Sequence, residues 1–152
     1  MTMPVSTWVE VDLDRFASNL REIRDLIAPG RDIFLVVKAD AYGHGAVEMA
    51  AAAAEEKVSM LGVATLHEGI QLRQSGSTLP IVVLSPLLPG EIREAVAHGL
   101  DPTVCDLAFA QALSEAARAA DQPQRIHVEI DTGMGRIGVR ENEAEAFLAA
   151  VT

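Results

Sequence analysis

The feature that most constrains this sequence is a regular alternation of short, continuous apolar runs with stretches of helical period. Residues 33–37 (IFLVV), 60–65 (MLGVAT) and 80–84 (PIVVL) are apolar throughout or nearly so, as strands covered on both faces are. A shorter run at 102–105 and the segment 125–130 (RIHVEI) continue the series. Between and after them lie an Ala-rich stretch around Ala50 and Ala54, then helical patterns at 67–74, 91–98, 107–120 and 141–151. Strands that alternate with helices predict parallel βαβ units, five of them here. Ahead of these, residues 7–13 (TWVEVDL) alternate apolar and polar side chains, which predicts a half-buried strand. Asp14 is the expected helix N-cap, with Phe16, Leu20, Ile23 and Ile27 on one face and Pro29 and Gly30 as the stop.

Two architectures accommodate such a series: an open, doubly wound sheet, or part of a parallel (β/α)₈ barrel of the TIM type. A complete barrel takes about 250 residues, so the 152 residues here would supply only its first five or so units. Periodicity does not choose between them. No low-complexity linker divides the chain.

Composition narrows the function classes. Hydrophobic residues at 49% and charged residues at 22% describe a globular protein with a sizeable core. No apolar stretch reaches the 18 residues of a membrane span, and the N-terminus lacks the basic and apolar segments of a secretory signal. The net charge of −10 makes nucleic acid and anionic membranes poor partners. The single cysteine, Cys105, excludes an internal disulfide and agrees with a reducing, cytoplasmic setting. His44 lies in a loop. His67, His98 and His127 show no metal-ligand spacing with acids or with Cys105, so no metal site is expected.

The chemistry concentrates at residues 37–45, VKADAYGHG. Lys38 ends a strongly apolar strand, and in both candidate folds that sheet edge carries the active site. A lysine desolvated there serves as a nucleophile or imine-forming amine; an arbitrary strand-end lysine would instead reach solvent over its apolar stem. Gly43 and Gly45 permit a tight turn close to a ligand. Tyr42, the one tyrosine of the chain, offers a hydroxyl to a phosphate or to water.

KADAYGHG after an apolar strand resembles the pyridoxal-phosphate (PLP) attachment motif of the alanine racemase family. The opening WVEVDLDRFASNL and the later HVEIDTGMGRIG resemble that family too, so the likeness covers nearly the whole chain. It implies a (β/α)₈ barrel followed by a mostly β C-terminal domain, and a head-to-tail homodimer. Residues 7–28 would be a leading strand and helix, and 31–152 the first barrel units; the β domain would lie outside this sequence. The resemblance implies that Lys38 holds PLP as an aldimine and acts as one of two acid/base groups interconverting L- and D-alanine, for D-alanine and peptidoglycan supply. It further implies that Tyr42 contacts the PLP phosphate and that Arg136 serves the substrate carboxylate. Glu129 departs from family members that carry a carbamylated lysine there. Its own carboxylate would orient Arg136 directly, the alternative being an ordinary outward strand acid. The second acid/base group, a tyrosine of the partner's C-terminal domain, would be absent, so the isolated chain is expected to be inactive.

Other readings stay in view. Residues 133–138 (GMGRIG) fit G-x-G-x-x-G, the dinucleotide-binding pattern, but Asp131 and Thr132 separate them from the strand and a bulky arginine occupies the turn. Other PLP barrels, such as amino-acid decarboxylases and small PLP-homeostasis proteins, carry different lysine motifs. A third reading is a non-catalytic half-barrel that binds PLP weakly.

Overall fold

A computed structural model describes residues 7–151. Helix α1 (Leu13–Leu26) leads into strand β1 (Phe34–Val36), the helical turn α2 (Lys38–Gly43) and helix α3 (Ala46–Glu55). Strand β2 (Met60–Val63), α4 (Leu66–Gln74), β3 (Ile81–Val83), α5 (Ile92–Ala97), β4 (Asp101–Val104) and α6 (Leu107–Ala119) follow in strict alternation. Then come three short strands, β5 (His127–Val128), β6 (Ile130–Asp131) and β7 (Val139–Arg140), and α7 (Ala144–Val151).

Strands β1 to β5 form one parallel sheet in the order in which they occur in the chain. That order decides between the two architectures. A doubly wound sheet reverses direction at a switch point, whereas a barrel adds each strand beside its predecessor. The protein therefore has the N-terminal part of a (β/α)₈ barrel.

One face of the sheet meets the helices and forms the core. Leu61, Val63, Ile81 and Val83 are inaccessible to solvent there and pack with Ala50 and Ala53 of α3 and Leu72 of α4. Each such side chain, fully buried, contributes about 1.5–3 kcal/mol. Gly69 brings α4 onto Leu100: a Cβ at that position would stand 2.9 Å from Leu100 Cδ1. A second cluster joins Val104, Leu113, Val139 and Phe147.

The N-terminal edge of the sheet carries its own polar anchoring. Asp101 opens β4 and is buried, and burial pushes its carboxyl up against the opposing pull of Arg125, 3.2 Å away. Arg73 donates to the carbonyls of Ser77, Leu79, His98 and Gly99 at 2.7–3.0 Å. Four acceptors for one guanidinium tie the end of α4 to the loops before β3 and β4.

Three expectations need correction. Residues 7–12 form no strand: Trp8 is 68% exposed and Val9 74%. The Trp8 indole N–H donates to the Glu10 carboxylate two residues on, at 2.8 Å. The segment joins no strand among the described residues, although β1 pairs only with β2, and alternation by itself supplies no partner. The helix cap is also Asp12 rather than Asp14; its carboxylate accepts from the Arg15 N–H at 3.0 Å. Asp14 sits in the first turn, where its charge complements the helix dipole.

The segment RIHVEI is likewise two strands rather than one. The break falls at Glu129, whose N–H donates to Val104 on one side while its carbonyl accepts from Val139 on the other. The backbone changes partner at that residue, from the five-stranded sheet to the small β6–β7 ladder.

Candidate active site

The C-terminal edge of the sheet opens into a cleft of about 550 Å³. Its floor consists of alternate strand residues: Phe34 of β1, Val82 of β3, Thr103 of β4 and His127 of β5. These belong to the face turned away from the helices, as period two along a strand requires. Gly62 of β2 leaves room for the Phe34 ring, because a Cβ there would lie 2.9 Å from two ring atoms.

Three of the residues singled out from sequence line this one cleft: Lys38, Glu129 and Arg136. They arrive on different elements, at the end of β1, at the β5–β6 junction and in the loop before β7. Glu129 and Arg136 both face the cleft, yet form no ion pair with each other among the described residues. The expected direct carboxylate–guanidinium contact is thus not made. Tyr42 is not brought in: it is 61% exposed and lies outside the cleft lining.

Lys38 stands on an unusual backbone. The four residues after it, Ala39, Asp40, Ala41 and Tyr42, all have φ between 51° and 55°, a full left-handed turn without a single glycine. Such a conformation costs an L-residue about 1–2 kcal/mol, so the surroundings must hold it. They do so with specific bonds. The Val37 N–H donates to Gly62 and the Ala41 N–H to Val37, each at 2.8 Å. The Asp40 carboxylate accepts from Ala46 at 2.7 Å, fastening the turn to the start of α3. The Glu68 carboxylate accepts from Ala39 at 2.8 Å, fastening it to α4. Gly43 and Gly45 complete the loop with φ of 85° and 87°.

Arg136 stands on a different kind of support. Residues 132–136 are all exposed. The Asp131 carboxylate gathers the loop by accepting from the N–H groups of Gly133 and Gly135 at 2.9–3.1 Å. Those bonds, Gly135 first and Gly133 next, hold the Asp131 carboxyl below its ordinary value. Gly138 closes the loop at φ 118°, where a Cβ would come within 2.7 Å of the Asp131 nitrogen. A strand, β7, follows the glycines. The dinucleotide reading requires a helix there whose N-terminus receives the phosphates, so GMGRIG is not that motif.

Several groups in and beside the cleft were given no site role by the sequence reading, His127 having been weighed only as a metal ligand. His127, Thr103 and Ser85 line it, and Glu68 holds the turn that carries Lys38. His127 and Thr103 were accessible in principle, since they are paired across β4 and β5 at positions that period two assigns to one face. The set offers one primary amine, one guanidinium, one imidazole, one carboxylate and two hydroxyls around a space of about 550 Å³. That donor set suits a small anionic ligand with a carbonyl group for the amine to engage.

Residues 11–152 match the family described as alanine racemase, N-terminal domain. The chain belongs to that family. Its relatives include alanine racemases of Desulfosudis oleivorans, 45% identical over 88% of this chain and 34% of that protein, and of Desulfovibrio desulfuricans, 42% identical over 95% of this chain and 39% of that protein. Among solved structures, an alanine racemase of Clostridium difficile superposes with TM-score 0.88 at 39% identity, over 98% of this chain and 40% of its own. One from Bacillus anthracis with bound L-Ala-P gives TM-score 0.85 at 38% identity, over 99% of this chain and 39% of its own. The chain thus spans some two fifths or less of the length of these alanine racemases.

Proposed function

We propose that this chain is the N-terminal portion of the barrel domain of a PLP-dependent alanine racemase, with Lys38 as the lysine that holds the cofactor. The observation that carries this reading is the convergence of Lys38, Arg136 and Glu129 on one cleft at the C-terminal edge of the sheet. The donor set there fits PLP: an amine for its aldehyde, with cationic and hydroxyl groups for its anionic oxygens. When bound, PLP supplies an electron sink for the α-carbon of an amino acid.

The protein's own residues do the rest. The Lys38 amine, freed when substrate enters, removes or returns the α-proton on one face. A second group on the opposite face makes the exchange a racemisation of L- and D-alanine. Arg136 presents its guanidinium fork to the substrate carboxylate. Glu129, in the same cleft, supports that cation at a distance as a fixed anion. The Tyr42 hydroxyl, at the end of the left-handed turn, serves the cofactor phosphate; its place in the KADAYGHG motif supports this role. The proposed setting is a cytoplasmic homodimer supplying D-alanine for peptidoglycan, in which a partner's C-terminal tyrosine is the second acid/base group. The 152 residues hold one tyrosine, Tyr42, so the isolated chain is expected to show no useful racemisation.

The reading is tested by titrating the chain with PLP and following imine absorbance. Wild type and Lys57→Ala should develop the signal, and Lys38→Ala should not. An equal signal in Lys38→Ala would refute the assignment.

A further inference from the structure

The left-handed turn after Lys38 needs an explanation, because four consecutive non-glycine residues at positive φ do not hold themselves. Hydrogen bonds of the turn to its own chain, such as Ala41 N–H to Val37 and Gly45 N–H to Asp40, stabilise its shape but do not orient it. Orientation requires bonds to other elements. The amide of Ala39, directly after Lys38, donates to Glu68 Oε1 at 2.8 Å. The other oxygen of the same carboxylate accepts from Ala64 at 2.7 Å and Thr65 at 3.1 Å. Glu68 thus joins the turn bearing Lys38 to the connection between β2 and α4, where Ala64 also lines the cleft.

We propose that Glu68 is a positioning residue for Lys38: its carboxylate straps the Ala39 amide to the β2–α4 connection and so sets where the lysine enters the cleft. The proposal rests on the reading of Lys38 as the PLP-binding lysine. An obvious competing role is helix capping. Glu68 is the third residue of α4 and forms a reciprocal capping box with Thr65, whose hydroxyl accepts from the Glu68 N–H at 3.3 Å. Capping accounts for Oε2. It leaves the bond from Oε1 to Ala39, 29 residues away in sequence, without a purpose in the helix.

The two roles separate by substitution. A glutamine at this position has one carbonyl and one NH₂. With its oxygen toward Ala64 and Thr65 the cap survives, and the NH₂ then opposes the Ala39 N–H. Glu68→Gln therefore cuts the strap and keeps the cap, while Thr65→Ala removes the hydroxyl half of the cap and keeps the strap.

The experiment uses the full 152-residue chain, PLP as probe, and amide hydrogen exchange as a readout independent of PLP. Glu68→Gln should weaken imine formation at Lys38 by about tenfold, the scale of one lost charge-assisted hydrogen bond. It should also speed exchange from Ala39 to Tyr42. Thr65→Ala should lower the melting temperature and leave both readouts at wild-type level. Identical behaviour of the two variants, in imine formation and in exchange, would overturn the proposal and reduce Glu68 to a cap. If wild-type Lys38 forms no imine, the functional reading falls, while the exchange comparison still decides whether Glu68 holds the turn.

Discussion

Lys38 enters the cleft from a turn fastened to β2, α3 and α4 by separate hydrogen bonds, whereas Arg136 enters it from an exposed loop gathered by the single carboxylate of Asp131. The first support is tertiary and continuous with the larger core, through Val37 and Ala41. The second is local, and its flanking strands are two residues long. The difference teaches how a site of this kind divides its labour. On the proposed function, the lysine that meets the cofactor aldehyde is fixed by the fold in advance, at the cost of backbone strain. On the same reading, the guanidinium that meets the substrate stands on an exposed loop held by fewer bonds.

The comparison can be broken first at its common base. Leu61 lies between the sheet and the helices with no exposed surface, and both arms depend on the sheet it anchors. Leu61→Ala should cost about 2–5 kcal/mol in urea unfolding. Amide exchange should then accelerate in both arms together. Acceleration in the lysine arm alone would mean that the arginine arm stands independently of this core.

A smaller effect should fall on one arm only. Gly138→Ala places a Cβ against the Asp131 backbone at a φ that disfavours any side chain. A cost of about 1–3 kcal/mol is expected, with faster exchange across residues 130–140 and unchanged exchange across 39–42. Equal changes at both places would erase the distinction between tertiary and local support.

How much of this was open to reading from sequence depended on where the information resides. The apolar runs IFLVV, MLGVAT and PIVVL announced β1 to β3; β2 and β3 are largely buried as such runs require, whereas β1 is only partly covered, with Phe34 43% exposed on the cleft side. Periodicity left their order open; the motif resemblance implied the barrel, and the sequential pairing of the strands bears it out. TWVEVDL misled because alternation describes a side-chain pattern and not a pairing, and pairing is tertiary. RIHVEI misled because the change of partner at Glu129 leaves no mark in composition. The left-handed turn was the least legible element: of Ala, Asp, Ala and Tyr only Asp is enriched at positive φ, and bonds such as those from Glu68 and Asp40 account for the rest. Lys38, Arg136 and Glu129 were found through motif resemblance, whereas the capping-box pattern Thr65-x-x-Glu68 marks only a helix start and carries no sign of the bond to the Ala39 amide.

The smallest predicted effect sharpens the contrast through pH. The Asp131 carboxyl is held below its ordinary value by the amides of Gly135 and Gly133. Its contribution to the loop is therefore fully present above the ordinary carboxylate range, near pH 4, and is lost as pH falls through the lowered value. Exchange at Gly133 and Gly135, corrected for its intrinsic pH dependence, should rise several-fold below that range in wild type. In Asp131→Asn that pH dependence should vanish. A wild-type loop indifferent to acid would show that the carboxylate does not organise it.

The central claim, that Lys38 is the residue this fold prepares for a cofactor, is tested most directly by trapping. The chain has two lysines, Lys38 and Lys57, so borohydride reduction in the presence of PLP followed by peptide mass spectrometry contains its own control. Label concentrated on Lys38 is the predicted result. Label shared equally with Lys57, or absent from both, would contradict the account.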